Sequence, residues 1–116
     1  NITMYDAQKL NIFLNQFGET KHQMLLEAYS SSLAEQREEC KKALANSDVR
    51  KLYFLTHDIK SIALAIGAHD LGHTAQSIEK NAKNDNDKAA LIDVPQLIDY
   101  IEDLKAVIDN ALATGR

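Results

Sequence analysis

The chain has 116 residues, with one proline, four glycines, no tryptophan and 45% hydrophobic residues. It can bury one core, so a single domain over residues 1–116 with an all-α fold is the expectation, and intrinsic disorder is excluded. A formal net charge of −4 argues against a nucleic-acid partner, which demands a basic face, and no apolar run approaches the roughly 20 residues that cross a bilayer, so no direct membrane contact is expected.

The start, Asn1-Ile2-Thr3-Met4, lacks the charged and apolar regions of a signal peptide. It also lacks an initiator methionine, so the chain reads as one excised from a longer protein. Asp6 caps a short first helix whose apolar positions Leu10, Phe13, Leu14 and Phe17 follow helical spacing, with Gly18 as its stop. A long second helix is predicted from about Thr20 to Ala45, with Leu25, Tyr29, Leu33, Cys40 and Leu44 on one stripe and Glu35, Arg37, Glu38 and Lys41 opposite. Cys40 stands alone, which leaves no disulfide framework and fits a reducing, cytoplasmic setting. At an apolar position it reads as a small buried hydrophobe.

Asn46-Ser47-Asp48 supplies a turn and an N-cap for a third helix that ends at Gly67. A fourth helix runs from about His69 to Lys83 and aims Leu71, Ala75, Ile78 and Ala82 at the core. Asn81 to Lys88 is rich in Asn, Asp and Lys without apolar period and is predicted as a loop. The last helix begins around Pro95, a residue favoured in the first turn, and repeats Leu97, Ile101, Leu104, Ile108 and Ala111. The expected architecture is an antiparallel up-and-down four-helix bundle with a short additional N-terminal helix, monomeric as an isolated domain.

The third helix is the one that carries chemistry. At about 100° per residue, with His57 at zero, Leu52, Leu55, Ile59, Ile62, Ala63 and Ile66 fall at roughly 140° to 240°. His57 therefore points away from the core, and Lys60 and Ser61 follow one turn along on its own side. An exposed imidazole beside a cation suits a negatively charged group. Leu64 and Tyr53 also fall within roughly 40° of His57, where a purely structural helix would place polar residues. They suit a protein-docking surface or contacts with neighbouring helices.

His57, Lys60 and Gly67, with Asp48 and Leu52 upstream, make this run similar to the histidine-containing phosphotransfer (HPt) domain, whose hallmark is His-x-x-Lys-Gly, an apolar helical stretch and then Gly. The resemblance is close over residues 48–82. It departs at Ser61, where the family usually has glycine, which narrows the approach to the histidine. The resemblance implies that His57 accepts a phosphoryl group from an aspartate of one receiver domain, such as that of a hybrid sensor kinase, and passes it to the receiver domain of a response regulator. It further implies that Lys60 offsets the phosphoryl charge and that Tyr53, Ser61 and Leu64 meet the partner. Glu79 lies on the edge of the fourth helix with Gly72 and Gln76. In the resembling family that position often orients the imidazole, and an acceptor on Nδ1–H fixes the tautomer that leaves Nε2 nucleophilic.

No phosphate-cradling glycine loop, nucleotide motif or metal set is legible, so the chain is expected to carry the group without taking it from ATP, and to have no cofactor of its own. By resemblance, Mg²⁺ comes with the receiver domain, and the domain is expected in the cytoplasm, tethered to the inner membrane through a parent sensor kinase. Two other readings stand beside this one. A phosphorylation-independent helical interaction module would keep the fold without the chemistry. A metal-binding bundle would use His69 and His73, at i and i+4 on one face with Asp70 nearby, but two imidazoles without a third and a fourth ligand make a weak site.

Overall fold

The computed structural model describes residues 18–113, and within them every regular element is an α-helix. We label these α1 (Gly18–Ala45), α2 (Val49–Ile66), α3 (His69–Lys83), α4 (Asp87–Ile92) and α5 (Val94–Ala113). The long dimension of the molecule is 43 Å, which is the length of α1 alone at about 1.5 Å per residue. The all-α expectation holds. The short N-terminal helix expected before Gly18 lies outside the described residues, and Gly18 itself, expected as a stop, opens α1.

The four long helices pack in a ring in which α2 meets α3, α3 meets α5, α5 meets α1 and α1 meets α2, while α4 rests chiefly on α3. Short turns reverse the chain between α1 and α2 and between α2 and α3, so each pair runs antiparallel. The shared interior comes from the apolar stripe of each helix: Leu26, Leu33 and Cys40 of α1, Leu52, Ile59 and Ile66 of α2, Leu71, Ala75 and Ile78 of α3, and Leu97, Ile101, Leu104 and Ile108 of α5. Burying each of these aliphatic side chains contributes about 1.5–3 kcal/mol of transfer free energy. The one buried polar side chain among the described residues, Thr56, is satisfied locally, its hydroxyl donating to the Leu52 carbonyl at 2.7 Å.

The helix ends are built alike. Asp48 caps α2, its Oδ1 accepting from the Lys51 amide at 3.0 Å. Gly67 ends α2 at φ 85°, and the next amide, Ala68 N–H, reaches back to the Ala63 carbonyl at 2.8 Å. Ser47 (φ 50°) and Asp85 (φ 60°) do the same for α1 and α3, followed by Asp48 N–H on the Ala43 carbonyl and Asn86 N–H on the Asn81 carbonyl. The helix expected from His69 to Lys83 is found with those bounds, and the loop expected over Asn81 to Lys88 is corrected to the short connection Asn84 to Asn86, because the unexpected helix α4 starts at Asp87. Ala90 is the one buried residue of α4, so six residues carry too little apolar period to announce a helix. Pro95 lies in the first turn of α5, where its missing N–H costs nothing.

Candidate functional site

The site forms where α2 and α3 lie side by side. Asp48 and Gly67 fix the ends of α2, and its buried face fixes its rotation, so His57 emerges from the bundle with its side chain 57% exposed. On α3, Leu71, Ala75 and Ile78 pin the helix to the core, which brings Glu79 to the seam. The Glu79 side chain is 13% exposed and Lys60 is 25% exposed. Glu79 Oε2 stands 2.8 Å from His57 Nδ1, and Glu79 Oε1 stands 2.8 Å from Lys60 Nζ.

Electrostatics decide which way the histidine contact runs. Partial burial alone would raise the Glu79 carboxyl, but the hydrogen bonds and positive charge of Lys60 and the contact with His57 outweigh it and hold the group below its ordinary value. Glu79 is therefore a carboxylate at neutral pH, and a carboxylate only accepts. His57 Nδ1 must donate. In the neutral ring that leaves Nε2 as the lone-pair nitrogen, a nucleophile whose tautomer is set by the protein.

The remaining residues singled out in the sequence fall as follows. Ser61 is exposed, and its hydroxyl donates to the His57 carbonyl at 3.2 Å, one turn back on its own helix. Tyr53 and Leu64 are half-buried. Leu64 leans over α3, where a Cβ placed on Gly72 would stand 2.6 Å from Leu64 Cδ2. The contact with a neighbouring helix that was one reading of Leu64 is thus present. His69 and His73 are exposed on α3, and among the described residues no group of three or more His, Cys, Asp or Glu side chains converges.

Sequence reasoning missed Phe54. It is 55% exposed, and its ring meets Tyr53 edge to face with centroids 5.2 Å apart. The signal was available, since the 100° rule places Phe54 about 60° from His57. Tyr53 joins two hollows along the α2–α3 seam. One is lined by Lys60, Gln76, Glu79, Lys80 and Lys83, and the other by Val49, Arg50, Phe54, Ala82 and Lys83 with Asp85 and Asp87 at its far wall. The chain is acidic overall, yet these two hollows are lined by four cations, Arg50, Lys60, Lys80 and Lys83, together with Glu79, Asp85 and Asp87.

An all-α bundle that displays a carboxylate-oriented histidine on the flank of one helix defines a narrow class of domain. A family model of the Hpt domain matches residues 24–111. The chain belongs to the Hpt domain family. Its fold is similar to that in the crystal structure of histidine-containing phosphotransfer protein B (HptB) from Pseudomonas aeruginosa PAO1, with a TM-score of 0.86 over 100% of both chains at 18% sequence identity. No curated protein sequence matches the chain. Among the described residues no helix is long and apolar enough to cross a membrane.

Proposed function

We propose that this domain relays phosphoryl groups through His57, taking one from the aspartyl phosphate of a receiver domain, as in a hybrid sensor kinase, and handing it to the receiver domain of a response regulator. The observation that carries this reading is the 2.8 Å contact between His57 Nδ1 and a Glu79 carboxylate on a ring that stays 57% exposed. The contact holds the proton on Nδ1, the lone pair of Nε2 attacks phosphorus, and the bond to the aspartyl oxygen breaks with its electron pair on the departing carboxylate. Lys60 places positive charge beside the incoming phosphoryl group.

The receiver domain supplies Mg²⁺, which neutralises charge on the moving group. Tyr53, Ser61 and Leu64 form the surface that meets the receiver, and Phe54 extends it. The Ser61 hydroxyl is turned back onto its own helix, which reduces its obstruction where the family usually has glycine. The domain works as a monomer in the cytoplasm.

The test is to incubate the domain with a phosphorylated receiver and Mg²⁺ and to follow label transfer. The expected product is acid-labile and alkali-stable, as a phosphohistidine is, and His57→Gln abolishes it. A domain that binds the receiver but never acquires label would instead be a phosphorylation-independent interaction module.

A further inference from the structure

The three polar side chains of the site converge on the least exposed of them. Glu79 gives one oxygen to His57 Nδ1 and the other to Lys60 Nζ, each at 2.8 Å. The Lys60 ammonium is therefore bound to the carboxylate that holds the ring. We infer that Lys60 is a positioning residue that acts through Glu79: by sharing the carboxylate's charge it sets how firmly the proton stays on Nδ1, and so how long a phosphoryl group survives on Nε2. This inference rests on the phosphotransfer reading above.

The chemistry follows the proton. Attack by Nε2 forms the N–P bond and leaves the ring an imidazolium that still carries its proton on Nδ1. If water takes that proton, the neutral phosphoimidazole can lose phosphorus only by expelling an imidazolate, which is a poor leaving group, and the freed Nδ1 lone pair would face a Glu79 oxygen. If the proton stays, N–P cleavage returns both bonding electrons to Nε2 and restores the starting tautomer without moving a proton. A carboxylate bearing its full charge favours the second, labile form. A carboxylate shared with an ammonium favours it less. Lys60 thus shifts the balance from discharge towards storage.

Other charged groups lie around the ring. Asp58 is exposed beside His57 on α2. From α3, Lys80 and Lys83 line the adjoining hollow with Lys60 and Glu79, and Asp85 and Asp87 lie at the far wall of the next. Lys60 is the cation among these groups that is bonded to Glu79, at 2.8 Å, so the Lys60 contribution can be isolated by removing Glu79.

Phosphoramidate, a small phosphoryl donor, can load the histidine without any receiver, and ³¹P NMR then follows the phosphohistidine signal through the neutral pH range. In Lys60→Met the half-life near neutrality is expected to shorten several-fold, and the pH above which the label becomes long-lived is expected to rise. Lys60→Arg, which keeps a cation on Glu79, restores the wild-type profile. In a Glu79→Gln background, Lys60→Met is expected to change the half-life much less than it does with Glu79 present, because only the direct charge of Lys60 on the phosphoryl group is left to lose. An unchanged or longer half-life in Lys60→Met overturns the inference, as does an equal effect with and without Glu79, which would mean that Lys60 acts on the phosphoryl group alone. A wild-type domain that takes label but not on His57 overturns the phosphotransfer reading itself, and the inference with it.

Discussion

The side chains of His57 and Cys40, both of nucleophilic types, have opposite surroundings, and that contrast separates their roles. His57 is turned to solvent with a carboxylate behind it. Cys40 is fully buried, and desolvation, reinforced by the neighbouring Glu39 charge, pushes its thiol up to about 12. A thiol so placed is not a nucleophile at neutral pH. Its reaction with an alkylating reagent is expected to proceed at the rate of unfolding, orders of magnitude below that of the denatured chain, and mass spectrometry of quenched samples measures it directly. Fast labelling of the native protein would contradict the packing around α1.

At the scale of the element, the three left-handed helix ends are chemically unequal. Gly67 occupies that conformation without strain, whereas Ser47 and Asp85 carry a Cβ there. Gly67→Ala is expected to cost about 1–2 kcal/mol, and Ser47→Gly to gain up to about 1 kcal/mol, both read from urea unfolding midpoints at constant slope. The same elements show what could be read from the chain. The four long helices were legible because apolar residues recur at helical spacing, and Asp48 and Gly67 punctuate α2 at both ends. Helix α4 was not, since Ala90 is its single buried residue, and Ile92, its most apolar side chain, is 77% exposed. In the site, helical arithmetic places Lys60 beside His57 and Glu79 on the neighbouring edge. It does not show that one carboxylate serves both, because that depends on how closely α2 and α3 approach, and contacts such as that of Leu64 with the bare backbone of Gly72 set that distance.

At the scale of the whole molecule, polar ties reinforce three of the seams between the long helices, the exposed one between Lys51 of α2 and Glu39 of α1 at 3.4 Å being the longest. Glu79 links α3 to α2. Asp109 of α5 accepts from Lys105 on its own helix at 2.7 Å and from the Ser30 hydroxyl of α1 at 2.5 Å. Those hydrogen bonds, Lys105 first and Ser30 second, hold the Asp109 carboxyl below its ordinary value of 3.8 against a smaller desolvation effect. A carboxyl lowered by folding adds stability above its unfolded value and loses it as pH falls through the folded one. Asp109→Asn is therefore expected to destabilise the bundle modestly at neutral pH and progressively less below pH 3.8, as thermal melts across an acid series would report. The α2–α3 seam holds a different kind of control. Because Gly72 has no side chain, Leu64 can lie in the space beside it, and one added methyl group there would stand 2.6 Å from Leu64 Cδ2 and force the leucine to shift. A residue of α3 that has no side chain thereby governs where a half-buried leucine of α2 can lie, about two turns along the helix from the reactive ring.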